Sequence, residues 1–177
     1  MQTPKIKLIK MYAVIASTLG AISSVQAIAC EDISGNCYTI QSESFSDDRV
    51  YAALKWTFGE SIKPEALLGF RHSKTQSNGD TDGGDLSISA KFIDGLQFSK
   101  LRAKYLNGKE NVQGEIGGGY DFSKGLFTGI SVHAPYSNLG VDFLPLAKEK
   151  IESYIQIDTI KGNDKPPYKE TLIEPPG

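Results

Sequence analysis

Helical periodicity, histidine and cysteine are scarce or missing in this sequence, and each shortage removes a class of answer. No stretch beyond residue 29 repeats its apolar residues at i, i+3, i+4 and i+7, so a helical bundle and a helix-based DNA reader are both excluded. The two histidines, His72 and His133, lie far from the two cysteines, Cys30 and Cys37, which leaves no zinc spacing. The close glycines from Gly114 to Gly119 fall inside an alternating run rather than between a strand and a helix, so they are not a nucleotide loop, and no cofactor is expected. The longest apolar run, Met11 to about Val25, falls short of the ~20 residues that cross a bilayer as a helix.

That run has another use. Lys5, Lys7 and Lys10 precede it without an acid, and small residues close it at Val25-Gln26-Ala27 or Ala27-Ile28-Ala29. The pattern is that of a secretory signal peptide over residues 1–29. Its removal leaves roughly 148 residues, enough for one domain with a core. Taking away three of the 19 basic residues leaves 16 against 21 acidic ones, a net charge of −5 that argues against nucleic-acid binding.

Cys30 and Cys37, in CEDISGNC, open the mature chain within a segment that spans residues 30–48. In an exported protein such a pair is expected to close a disulfide. The rival is that Ala27-Ile28-Ala29-Cys30 is a degenerate lipobox and Cys30 an acylated first residue.

From Arg49 the chain alternates. Val50, Ala52, Leu54, Trp56 and Phe58 fall on one face, and Tyr51, Ala53, Lys55 and Thr57 on the other. Similar runs follow at Ala66–Ser73, Asp85–Phe92, Lys100–Tyr105, Val112–Phe122, Leu126–His133, Leu139–Phe143 and Ile151–Ile157, divided by turn signals such as Asp94-Gly95 and Asn107-Gly108. The expected fold is all-β, an antiparallel meander of about eight strands over 49–160 closed into a small β-barrel. Residues 161–177, with two Pro-Pro pairs, read as an extended or disordered tail. The connections 59–64, 93–95, 123–125 and 145–149 are the short ones, placed opposite the termini, and Thr75 to Gly84 is the longest and most polar.

The polar face carries both signs: Lys55, Arg71, Lys91, Lys100, Arg102 and Lys104 with Asp85, Glu115, Asp121 and Asp142. Such a face suits either the inside of a barrel with an apolar exterior or the wet outside of a barrel with an apolar lumen. In the second case Leu86, Ile88, Ile116 and Ile130 line a pocket for a small apolar ligand.

Through its alternating runs, the GGGYDF strand end (117–122) and the SKG turn (123–125), the segment from Val50 to Ile160 resembles the small eight-stranded outer-membrane barrels of Gram-negative bacteria. The resemblance implies an envelope protein that works in adhesion, surface protection or lipid handling, with outer-membrane lipid or envelope components as partners. Trp56, Phe58, Phe92, Tyr120, Phe122, Phe127 and Phe143, all near strand ends, would form an interfacial girdle. Two features depart from the family: its termini and short turns normally share one side, and its last strand usually ends the chain on an aromatic residue.

Three sets of residues carry candidate chemistry. Asn78, Asp80, Asp82 and Asp85 offer oxygen atoms in the spacing of the first half of a calcium loop, although the twelfth position is Ser89 rather than an acid. The plainer reading is a polar hairpin loop, in which Thr75, Asn78, Asp80 and Asp82 are the residues placed to bind a partner. HAPYSNLG (133–140) is loosely similar to the Ser-Asn-x-Gly segment of outer-membrane lipid A deacylases. That similarity implies Ser137 as nucleophile, His133 as base and Glu149 as the group orienting it. The functional expectation is a non-enzymatic outer-membrane or surface barrel acting through exposed loops. The alternatives are a soluble periplasmic barrel with an apolar ligand and a deacylase-like ester hydrolase.

Overall fold

A computed structural model describes residues 27–30, 37–58, 63–92 and 95–173, and the leader up to residue 26 lies outside them. Eight strands, β3 (Ser44–Phe58), β4 (Lys63–Gln76), β5 (Asp80–Lys91), β6 (Gln97–Lys109), β7 (Val112–Asp121), β8 (Gly125–Ala134), β9 (Ser137–Phe143) and β10 (Ile151–Asp158), form an antiparallel meander that closes where β10 pairs with β3. A separate three-stranded sheet of order β1-β2-β11 is built from β1 (Ala27–Cys30), β2 (Cys37–Gln41) and β11 (Lys169–Ile173).

Closure fixes the size. Register partners followed from Lys55 through Gln156, Asn138, His133, Gln113, Gly108, Thr81 and Thr75 return to β3 at Phe45, a stagger of ten residues. With ordinary strand spacing and rise, that stagger on eight strands tilts them by about 40° and gives a backbone cylinder about 16 Å across. Such a cylinder is filled by its own side chains. Tight curvature explains the glycines: a Cβ on Gly117 or Gly119 would sit 2.1 Å and 1.9 Å from the carbonyl oxygens of Ala103 and Leu101 on β6. At Gly69 and Gly140 the space is taken by the rings of Tyr51 and Tyr154 from the neighbouring strands.

Both ends of the described chain lie at one end of the barrel, here the near end. Its connections, 77–79, 110–111 and 135–136, are two or three residues long, whereas those at the far end, 59–62, 92–96, 122–124 and 144–150, run from three to seven. The expectation that the short connections stand opposite the termini is therefore corrected. So is the long loop: Thr75 and Gln76 continue β4 and Asp80 already opens β5, leaving Ser77-Asn78-Gly79 as the turn, with Gly79 at φ +83°. Turn-forming residues at 78–84 misled the reading because they occupy ladder positions in a hairpin that extends past its apolar part.

Of the two readings of the tail, extended or disordered, the described part follows the extended one. After β10 the chain crosses the near end as a strap: Tyr136 N donates to Ile160 O at 2.8 Å, and Asn163 N donates to Glu110 O at 2.8 Å. Ser73 Oγ donates to Asn163 Oδ1 at 3.0 Å, and Ser77 Oγ to Pro167 O at 3.1 Å. Ile160 is buried against Tyr51, Ala53 and Leu67, and β11 then pairs with β2. Pro166-Pro167 suits a strap, because an extended segment held by a few contacts needs no ladder of its own, and Pro175-Pro176 lies outside the described residues.

Candidate functional site

Burial is inverted relative to a soluble barrel. Val50, Leu68, Leu86, Ile116, Leu126, Ile130 and Ile157 are exposed on the outer wall, whereas Lys55, Glu65, Arg71, Asp85, Glu115 and Asp142 are all but completely buried inside. Period-two alternation sends one face of every strand into the lumen, and here that face is the charged one. The expectation of an apolar pocket lined by Leu86, Ile88, Ile116 and Ile130 is corrected, because all four point outward.

Most of the buried charges pair in two clusters, apart from Lys55 with Glu65 and His133 with Asp158. Toward the near end, Arg71 Nε donates to Asp85 Oδ2 at 3.0 Å and Arg71 Nη2 to Glu115 Oε1 at 2.5 Å. The other Glu115 oxygen accepts from Lys104 Nζ at 2.6 Å, Ser131 Oγ at 2.7 Å and Asn138 Nδ2 at 2.7 Å, and Tyr51 donates to Asp85 Oδ1 at 2.9 Å. Toward the far end, Arg102 grips Asp142 with two parallel bonds of 2.8 and 2.5 Å, the fork geometry that favours arginine at such places. Lys100 donates to Asp142 at 3.1 Å and Glu152 at 2.8 Å, and Lys124 reaches Glu152 from the rim.

Lys55 meets Glu65 at 3.0 Å, and Glu65 also accepts from Ser89 at 2.9 Å and Ser99 at 2.8 Å. Ser99 turns inward beside Lys100 because the β5–β6 ladder shifts between Ser89 and Ala90. The Phe127 ring lies under Arg102 at 4.7 Å and Lys100 at 5.1 Å. Phe127 is thus a lumen residue, which corrects its place in the girdle. Phe58, Tyr120 and Phe143 are exposed on the outer wall toward the far end, Phe92 and Phe122 are exposed in the connections there, and Trp56 is half-buried on β3.

The acyl-ester candidates do not assemble. His133 faces the lumen, its Nε2 3.4 Å from Asp158, while Ser137 has the outward parity of Leu139 and Val141. Glu149 sits in the far-end connection 144–150, a full strand, roughly 20 Å, from the near-end Ser137. The calcium candidates separate for the same reason of parity: Asp80 pairs outside with Lys109, and Asp85 is inside on Arg71. No group of three or more His, Cys, Asp or Glu able to hold a metal ion occurs among the described residues. Of the residues expected to form a binding loop, Thr75 is buried, its hydroxyl 2.9 Å from that of Thr81, and Asn78 folds back onto Asp80.

Sequence reading placed most of the lumen charges on one face but passed over Glu65, Glu152, Tyr154 and Asp158. The same parity includes them: Glu65 falls one step before its run, in phase with Leu67 and Arg71, and Glu152 and Tyr154 take the inward parity within theirs, with Asp158 one step past it. Cys30 and Cys37 are register partners on β1 and β2. No family model, no curated protein and no solved structure matches the chain.

Proposed function

We propose that the chain is a non-enzymatic cell-envelope protein that sits in the outer membrane as an eight-stranded barrel. It presents an apolar wall to lipid and two polar rims to either side. One observation carries the reading: the apolar faces of all eight strands point away from the lumen, and the buried ionic residues point into it. In water that arrangement exposes a continuous hydrocarbon belt, far beyond the patches a monomer tolerates. In a bilayer it removes the belt from water and leaves every backbone group paired in a closed ladder. From Val112 to Phe122 the outward residues climb about 25 Å along the barrel axis at a 40° tilt, matching the apolar band of such barrels.

The short connections favour action through the rims and the wall rather than through long loops. Tight turns and termini on one side are the arrangement usual for this class, so the topology that argued against the resemblance now supports it. Export through the leader belongs to the same proposal. So does a Cys30–Cys37 disulfide, because directly opposed strand residues have the Cα separation that a disulfide spans.

Fractionation tests the reading. The mature protein is expected to remain with the outer membrane after a carbonate wash and to migrate faster on a gel unboiled than boiled. Release into the soluble periplasmic fraction would overturn it.

A further inference from the structure

The strap across the near end is held by its main chain. Arg49 Nη1 donates to Lys161 O and Gly162 O, both at 3.2 Å. Ser73 Oγ donates to Asn163 Oδ1 at 3.0 Å, and Ser77 Oγ to Pro167 O at 3.1 Å. Tyr136 N donates to Ile160 O, and Asn163 N donates to Glu110 O, both at 2.8 Å. All but one of these contacts reach backbone atoms of the strap, and all but one have the barrel as donor. The donors come from β3, β4 and the turns 77–79 and 135–136, so the near mouth is lined to receive the carbonyl oxygens of an extended chain.

Only three strap positions are read by their side chains. Ile160 fills a socket formed by Tyr51, Ala53 and Leu67. A Cβ on Gly162 would stand 2.2 Å from Asn111 Oδ1, and Asn163 offers its amide oxygen to Ser73. Lys161 and Asp164 are exposed and pair with each other at 3.1 Å, and Lys165 reaches Glu110 at 3.5 Å from an exposed position. Nor does barrel closure call for the strap: the ladder between β10 and β3 ends at Asp158 with Ala53, before the strap begins.

We propose that the near mouth is a binding groove for an extended segment of a partner polypeptide, and that the chain's own strap occupies it and keeps it closed. The segment that fits has a β-branched apolar residue, glycine two positions on and asparagine three positions on, ahead of an extended proline-bearing stretch. Main-chain hydrogen bonds supply affinity and a socket for one side chain supplies specificity, the division found wherever extended peptides are bound. Pro166-Pro167 favours the extended form before binding, which lowers the cost of ordering it. The groove is independent of the membrane reading, since none of its contacts is on the outer wall.

A strap tethered at its own groove competes at a millimolar effective concentration. A free peptide therefore meets only the open fraction of molecules, and its apparent affinity falls by that fraction. Loosening the strap should strengthen binding in trans. The probe is a fluorescein-labelled peptide of residues 159–168, titrated with the full chain in detergent micelles and followed by anisotropy. Ile160→Ser in the protein withdraws the strap's own anchor and is expected to tighten peptide binding at least about tenfold over the unaltered chain. The same substitution placed in the peptide should remove that gain. Where Ile160→Ser loses the β-sheet circular dichroism of the barrel, Asn163→Ala, which takes away only the acceptor of Ser73, replaces it with an expected gain of about fivefold. Equal binding by the unaltered and loosened chains, equal binding of the two peptides, or no saturable binding to the loosened chain would overturn the groove. Dimers of the unaltered chain that the peptide disperses would overturn a separate partner and assign the groove to the strap of a second copy.

Discussion

The carboxylate of Glu115 accepts from four side chains at 2.5 to 2.7 Å and is fully buried. Removing it leaves Lys104 with only the Ser131 hydroxyl, at 3.3 Å, inside a closed cylinder. A stranded buried charge typically costs about 3–5 kcal/mol, far more than the pair itself is worth against an apolar substitute. Glu115→Ala is therefore expected to lower the urea midpoint of the folded, fast-migrating gel form strongly. Asp80→Ala, at the exposed 2.6 Å pair with Lys109, should leave it nearly unchanged. Equal effects would mean that water reaches Glu115 and that the lumen is not the dry, paired interior its geometry describes.

Among the strands, β7 shows how composition becomes curvature. Gly117 and Gly119 let β6 approach so closely that its carbonyl oxygens fill the space of a side chain, whereas Gly114 on the same strand opens toward Asn107 O at 3.7 Å. Gly119→Ala has to push β6 and β7 apart and is expected to cost about 1–3 kcal/mol. Gly114→Ala should stay within about 0.5 kcal/mol. Denaturant midpoints of the two variants, measured in one detergent, compare them; similar values would show that the close approach at Gly119 is not a constraint. The alternation that reveals these strands was legible in sequence because half of every strand is buried, and period two is all that such burial requires. Strand ends were not legible. At Thr75–Gly84 the residues have turn chemistry but the ladder continues, held by pairings such as Lys74 with Asp82 that no local signal announces. The tie between Lys161–Ile173 and the barrel was not legible, leaving only an extended or disordered tail to read, because its partners, Glu110, Ser73 and the whole of β2, are remote in sequence.

At the level of the whole molecule, alternation divides residues into two faces but is blind to which face is inside. That choice depends on the solvent, and on closure bringing Arg102 to Asp142 and Arg71 to Glu115 across 40 and 44 residues of chain. Once those pairs form, the opposite face is committed to the exterior, and Ile116, 59% exposed between Gly114 and Gly118, stands in the middle of it. Its replacement separates the two environments. In water an exposed Ile116→Arg is close to neutral, since surface substitutions usually stay within about 0.5 kcal/mol. In a bilayer a mid-depth arginine on the lipid face costs about 2–4 kcal/mol, while the same change at the rim costs about 0–1. Ile116→Arg should thus reduce the fraction recovered as heat-modifiable barrel in vesicles, and Val112→Arg, at the near-end start of β7, should do so much less. The gradient between the two, rather than either value alone, identifies lipid as the surrounding medium. A flat response along β7 would instead mean that the apolar wall is covered by something other than a membrane.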